Sequence, residues 1–395
     1  MLNIIPGYCT LCRSRCGTLN EVIEDHLIKV RPNPEHPNGK AMCMKGKAAP
    51  ELVDSANRIL HPMKRTHPKG AENPGWQRIS WEEAMSTIAG QLKKFKNENG
   101  AESVAFGFTS PSGTPLSDAI EWLERFVRIY GSPNTSYGTE ICNWHKDVAH
   151  RWTFGCGIPV ADYSHAELII LWGHNPANTW LAQANAIGTG RNNGAKLIVI
   201  DPRPTPLAKE ANAWLNVCPG TDGALALGLS HLLVERHMFN QEFVRDWTNG
   251  PLLIRNDNGY FLREIDINPF ATSNRYVVWD EHIQQVIFID SETRTEETLT
   301  PTAALEGDVE VTLADGGKIS CHTAFSSFKN ILANYSPENV SRITGISVAS
   351  IEAAASMIGN AKKIAYHSWS GVAQHTNATQ TERAIATLYA LTGCF

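Results

Sequence analysis

The chain has 395 residues, enough for two or three domains with sizeable cores. Hydrophobic residues make up 42% and charged residues 19%, an ordinary globular balance. The net charge of −5 and the lack of a long basic run argue against nucleic acid as the main partner, and no apolar run reaches the length of a membrane span.

The amino terminus, MLNIIPGYCT, has no basic n-region, no apolar h-region and no twin arginine. It reads as cytoplasmic, or as periplasmic if a leader precedes Met1 in the gene. Cys9, Cys12, Cys16 and Cys43 follow in the pattern C-x2-C-x3-C-x26-C. Four thiolates from one short segment can hold a tetrahedral zinc ion or an iron–sulfur cube. Zinc sites usually bring two C-x2-C knuckles, and the second knuckle is missing. Three clustered cysteines with one from a returning loop suit a [4Fe–4S] cluster better. A disulfide framework belongs to small secreted domains and fits a long, cysteine-poor chain badly. Lys45 lies two residues past the last of these cysteines, where a cation would ease the addition of an electron to an anionic cluster. Most lysines are simply solvated.

Further along, Ser80-Trp81-Glu82-Glu83 is a capping box, and Ala84, Ile88, Leu92 and Phe95 recur at helical spacing until Gly100. Val104 to Phe108 reads as a buried strand, a polar loop spans Ser110 to Pro115, and Ile120, Leu123 and Val127 mark a second helix. Strands are expected at Leu168 to Trp172, Lys196 to Ile200 and Trp214 to Val217, with a helix through Leu225, Leu229 and Leu232. This rhythm is that of a doubly wound α/β fold without G-x-G-x-x-G. From about Asn249 to Cys321, the runs YVVWD, VIFID and VEVTL, with a turn at Asp315-Gly316-Gly317, predict an antiparallel β insertion. Helical spacing returns from Asn339 to Met357, then a strand at Lys363 to His367 and a last helix from Gln380.

Each predicted strand tip carries a short polar motif: Trp172-Gly173-His174-Asn175-Pro176, Asp201-Pro202-Arg203-Pro204-Thr205, Pro219-Gly220-Thr221-Asp222 and Gly371-Val372-Ala373-Gln374-His375-Thr376-Asn377. Taken singly, each is ordinary turn chemistry. Cys142, in Gly138-Thr139-Glu140-Ile141-Cys142-Asn143-Trp144-His145, would by itself read as a small buried hydrophobe, and His145 as a surface or core histidine.

In order, the four-cysteine segment, Arg58-Ile59-Leu60-His61-Pro62-Met63-Lys64-Arg65, Trp76 to Ala84 and the strand-tip motifs resemble the molybdopterin oxidoreductases, the dimethyl-sulfoxide-reductase family, over nearly the whole chain. That resemblance implies a [4Fe–4S] cluster on Cys9, Cys12, Cys16 and Cys43, and Lys45 between cluster and pterin. It implies Cys142 as the protein ligand to molybdenum or tungsten, a soft thiolate on a metal already held by dithiolenes, with His145 as the nearest proton carrier. Gly173, Asn175, Pro176, Asp201, Arg203, Gly220, Thr221, Asp222, Gly371 and His375 would hold two molybdopterin guanine dinucleotides. Asp201 suits a ribose or guanine edge, Arg203 a phosphate, and Asp222 guanine N1 and N2.

The implied layout is an iron–sulfur domain at 1–60 and an α/β domain with the metal-ligand loop at 61–160 and 360–395. A pterin-dinucleotide domain at 161–359 carries the β insertion at about 249–322. The family's C-terminal pterin-binding barrel is apparently absent, so the chain resembles the N-terminal part of a catalytic subunit. The implied reaction is oxygen-atom or hydride transfer on a small-molecule substrate in anaerobic metabolism, with an iron–sulfur or other electron-transfer subunit as partner. Relatives that oxidise formate carry histidine directly after the metal ligand, where this chain has Asn143. A hydratase branch places aspartate after the second cluster cysteine, where this chain has Arg13. A non-catalytic electron-transfer relative would be expected to lose Cys142 and the nucleotide motifs.

Overall fold

The structure, a computed structural model, describes residues 1–12, 14–108, 120–138, 144–157, 161–290 and 301–394, with only the backbone described at 144–147. It divides into two compact units, Met1–Cys142 with Pro176–Gly188, and Asn143–Asn175 with Thr189–Phe395.

The first unit opens with an antiparallel three-stranded sheet, Leu2–Tyr8, Gly17–Ile23 and His26–Pro32. The second hairpin turns on Glu24 and Asp25, both at positive φ (50° and 66°), which matches the right-handed strand twist. The helix Trp81–Asn99 starts where the capping signal places it, with Ser80 Oγ accepting from Glu83 N at 3.0 Å. Glu83's carboxylate turns away to Lys64 instead of closing the box. A second helix, Ile120–Tyr130, is tied to the first by Lys96 Nζ donating to Tyr130 O and by Tyr130 Oη donating to Leu92 O. The strand expected to be buried is shorter and partly exposed: among the described residues, Phe106–Phe108 pairs only with Thr135–Tyr137. The loop from Ser110 to Pro115 lies outside the described residues.

The second unit is built on a parallel four-stranded sheet. Its spatial order is Ala213–Leu215, Lys196–Ile200, Leu168–Trp172, Ile364–Ser368. Leu168–Trp172 is buried at every position, as a strand covered on both faces must be. The helix Asp222–Glu235 packs Leu225, Leu229 and Leu232 into the same core as Ile170, Ile198, Ile385 and Leu388. At Gly228 an added Cβ would meet Val340 at 2.5 Å, so the helix Pro337–Thr344 lies directly against it. The helical run expected from Asn339 is two helices, because Gly345 (φ +76°) ends the first before Val348–Asn360 begins.

The late strand, expected with 61–160, joins the sheet of Leu168–Trp172, while the helices Trp144–Phe154 and Ala378–Thr392 fall in the same unit. Ile364–Ser368 hydrogen-bonds along Leu168–Trp172 and so completes the second unit's sheet. Chain order alone cannot say which sheet edge a late strand joins. Among the described residues the β insertion forms two antiparallel sheets, one of Leu253–Arg255, Lys318–Thr323 and Asp308–Thr312, the other of Tyr276–Asp280 and Gln285–Ile289.

Candidate functional site

In chain order the four parallel strands are Leu168–Trp172, Lys196–Ile200, Ala213–Leu215 and Ile364–Ser368, so their spatial order reads third, second, first, fourth. The direction of winding reverses between the first and the fourth. In open α/β sheets the crevice outside the strand C-termini at such a reversal is where ligands bind.

The loops leaving those two strands meet there. Trp369 N donates to Trp172 O at 3.1 Å and Gly371 N to Gly173 O at 3.0 Å. A Cβ on Gly371 would fall 2.6 Å from Gly173 Cα, and one on Gly173, itself at φ +57°, would fall 2.9 Å from Gly371. Neither glycine can be replaced without parting the loops. Asp201 and Asp222 follow other strands of the same sheet, and both are buried. Asp201 Oδ1 accepts from Arg203 N at 2.8 Å, which turns the chain sharply and leaves Arg203 exposed. Thr205 caps the next helix by accepting from Ala208 N.

Asp222 is not free to face a ligand with both oxygens. Its Oδ1 accepts from the indole Nε1 of Trp172 at 2.7 Å, so two motifs read separately in the sequence are joined. Burial pushes its carboxyl up, partly offset by that indole and by His375. His375 Nδ1 lies 3.8 Å from where a Cβ on Gly220 (φ +86°) would be, which brings the two loops together. Thr221 turns its hydroxyl back to Cys218 O. Asn175 is partly buried, and Pro176 opens the short helix Pro176–Thr179.

The sequence reading passed over a buried ring cluster beneath these loops. His174 and His367 sit with centroids 4.6 Å apart, and Trp369 lies 5.5 Å from His367. His174 is the middle residue of the Trp172-to-Pro176 motif, and the pairing of the late strand brings His367 to it. His150 is a core residue, fully buried with Nε2 2.9 Å from Tyr366 Oη. Cys142 and the side chain of His145 lie outside the described residues. A cavity of about 860 Å³, lined by Trp152, Trp247, Phe328 and Arg383 among others, shares no residue with the strand-tip set.

In the first unit the cysteine loop folds back on itself. Cys9 N donates to Cys16 O at 2.8 Å, and Arg15 takes a positive φ of 45° to make the return. Cys16 is buried and Cys9 partly so, with Val30 and Met42 packed against them. Burial raises both thiols, and Cys12 and Cys43 raise each of them further, which places all four within electrostatic reach. A Cβ on Gly46 would fall 3.5 Å from Cys9 Sγ, so backbone comes close to this thiol. Among the described residues no three His, Cys, Asp or Glu side chains converge as a single metal ion requires. Lys45 is exposed on the short helix Met44–Lys47 that follows Cys43. Of the cysteines outside the four-cysteine segment, Cys321 is buried in the insertion core, whereas Cys156 and Cys218 are exposed.

Two family descriptions match the chain: "Molybdopterin oxidoreductase Fe4S4 domain" over residues 3–55 and "Molybdopterin oxidoreductase" over residues 58–395. Among curated relatives, the thiosulfate reductase molybdopterin-containing subunit of Salmonella typhimurium is 31% identical over 249 residues, 62% of this chain and 32% of that protein. Acetylene hydratase of Syntrophotalea acetylenica is 32% identical, with 61% of this chain and 33% of that protein covered. Perchlorate reductase subunit alpha of Dechloromonas aromatica is 26% identical over 89% of this chain and 40% of that one. The solved structure of acetylene hydratase from Pelobacter acetylenicus shares the fold with a TM-score of 0.70 at 24% identity, covering 99% of this chain and 43% of that one. The chain therefore spans less than half the length of these relatives.

Proposed function

The chain belongs to the molybdopterin oxidoreductase family, and from that premise we propose that it is the cofactor-holding part of a catalytic subunit performing oxygen-atom or hydride transfer on a small molecule. The family's cofactors are a [4Fe–4S] cluster and a molybdenum or tungsten pterin centre, typically as the guanine dinucleotide. When bound, they supply the redox chemistry, and the protein positions and tunes them.

In this reading Cys9, Cys12, Cys16 and Cys43 hold the cluster, and Lys45 offsets its negative charge. Cys142 is the ligand to molybdenum or tungsten, and His145 exchanges protons with solvent. Gly173 and Gly371 let backbone approach the dinucleotide, Arg203 faces phosphate, and Asp201 and Asp222 accept hydrogen bonds from ribose or guanine. Trp172 fixes one oxygen of Asp222. Asn175, Pro176, Gly220, Thr221 and His375 complete the loops.

The observation that carries the reading is the meeting of the Gly173 and Gly371 loops at the sheet's switch point, with Asp201 and Asp222 following other strands of that sheet. Several relatives are named as subunit alpha of a reductase or dehydrogenase, which favours an electron-transfer subunit as partner. A second reading, water addition, is favoured by the likeness to acetylene hydratase. Arg13, standing where that branch has aspartate, weighs against it.

The test is elemental analysis of protein purified without oxygen, followed by assay with a viologen dye and with acetylene. About four iron and one molybdenum or tungsten per chain, with dye-coupled turnover, supports the oxidoreductase. Acetaldehyde from acetylene without dye turnover supports the hydratase. Zinc in place of iron refutes both.

A further inference from the structure

The end of the β insertion and the helix after it hold a constellation that shares no residue with the strand-tip motifs. His322 lies near the end of the strand Lys318–Thr323, and Ser327 in the first turns of the helix Ala324–Leu332 that follows it. Ser327 Oγ is 2.6 Å from His322 Nε2, and His322 Nδ1 is hydrogen-bonded to Asn256 Oδ1. Asn256 in turn donates from Nδ2 to Ser320 Oγ at 2.9 Å, which fixes its amide with the oxygen toward the imidazole. The network therefore puts the ring proton on Nδ1 and leaves Nε2 to accept the serine hydroxyl. A hydroxyl on a base, with the base oriented by a third group, is the geometry of an activated nucleophile.

We propose that Ser327 is a base-activated acyl acceptor, a covalent-modification site for activated carboxylic esters and thioesters. Ser327 is partly exposed, so a small donor reaches it. Ile331, one helical turn further on, is 53% exposed and offers an apolar footing for a short acyl chain. In the transfer, Ser327 Oγ forms a bond to the carbonyl carbon and the bond to the leaving group breaks. The leaving group departs with that electron pair, and the serine proton passes to His322 Nε2.

The same helix start limits the site. Ala324 N donates to Leu252 O, Phe325 N to Gly250 O and Ser326 N to Thr323 Oγ1. Those three donors are engaged and so do not steady an oxyanion. The site takes an acyl group from an activated donor and is not an efficient esterase. Ser326 is the internal control: its hydroxyl is held by Thr323 Oγ1 and Gly307 N, with no imidazole among its bonding partners.

The experiment treats the full chain with p-nitrophenyl acetate and maps acetylation over time by tandem mass spectrometry. Ser327 should acquire acetyl well ahead of Ser326, with a matching release of p-nitrophenolate. Ser327→Ala should abolish that fast phase. His322→Gln should slow it by roughly 100-fold or more, the usual worth of a positioned general base. Asn256→Ala, at an exposed position, should slow it as well and gives an independent reading if the strand variant unfolds. Acetylation of Ser327 no faster than Ser326, or at a rate indifferent to both substitutions, overturns the proposal.

Discussion

Gly371→Ala tests the switch-point geometry directly. Gly371 is not among the residues at positive φ, so the substitution carries no penalty from backbone conformation, only a steric one. The new methyl would sit 2.6 Å from Gly173 Cα and 2.7 Å from Gly173 O. Restoring an ordinary contact of 3.4 Å parts the loops by about 0.8 Å. The Gly371 N to Gly173 O bond, now 3.0 Å, would then exceed hydrogen-bonding range. Overpacking of this kind costs about 1–3 kcal/mol and the lost bond about 0.5–1.5 kcal/mol. A total near 3 kcal/mol corresponds to a fall in Tm of about 6–12 °C for a domain of this size. Scanning calorimetry of the two proteins reads it. Gly90→Ala is the matched control, since its Cβ would meet nothing within 4 Å in the helix Trp81–Asn99, and it should gain up to about 1 kcal/mol. A Gly371→Ala transition within about 1 °C of the parent would mean that the loops yield freely and that the crevice is not rigid.

Burial raises Asp222 above its ordinary value of 3.8, so the fold favours its protonated form. That stabilisation is complete below pH 3.8 and is lost as pH rises through the raised value. Asp222→Asn keeps an acceptor for Trp172 and does not titrate. Its stability relative to the parent, followed by urea unfolding, should therefore grow with pH across that window, and a pH-independent difference would contradict the assignment. Arg203→Ala, at an exposed position, should leave Tm nearly unchanged while lowering the guanine released from purified protein. Equal guanine in both would remove Arg203 from the dinucleotide site. Cys16→Ser should lower bound iron well below about four per chain. Undiminished iron would exclude Cys16 as a ligand.

Much of the chemistry was legible from residues alone, because ligand spacing and turn motifs are local properties. The Ser80 cap, the buried strand at 168–172 and the antiparallel insertion all reappear in the structure. The Glu24-Asp25 hairpin was not legible, since its two positive φ angles fall on residues that carry no Asn-Gly signal. Neither was the break at Gly345, where helical spacing runs on across a left-handed residue.

Sequence by itself determined which cysteines and strand-tip motifs this protein carries, and in what order. Only the tertiary structure decided which of them meet. The pairing of Ile364–Ser368 against Leu168–Trp172 creates the switch point, sets Gly371 on Gly173 and brings His367 under His174. Trp172 reaches Asp222 across 50 positions of chain, and Asn256 reaches His322 across 66. Such contacts depend on strand order and helix packing, which bury surface between segments far apart in the chain, and no local window of residues records them.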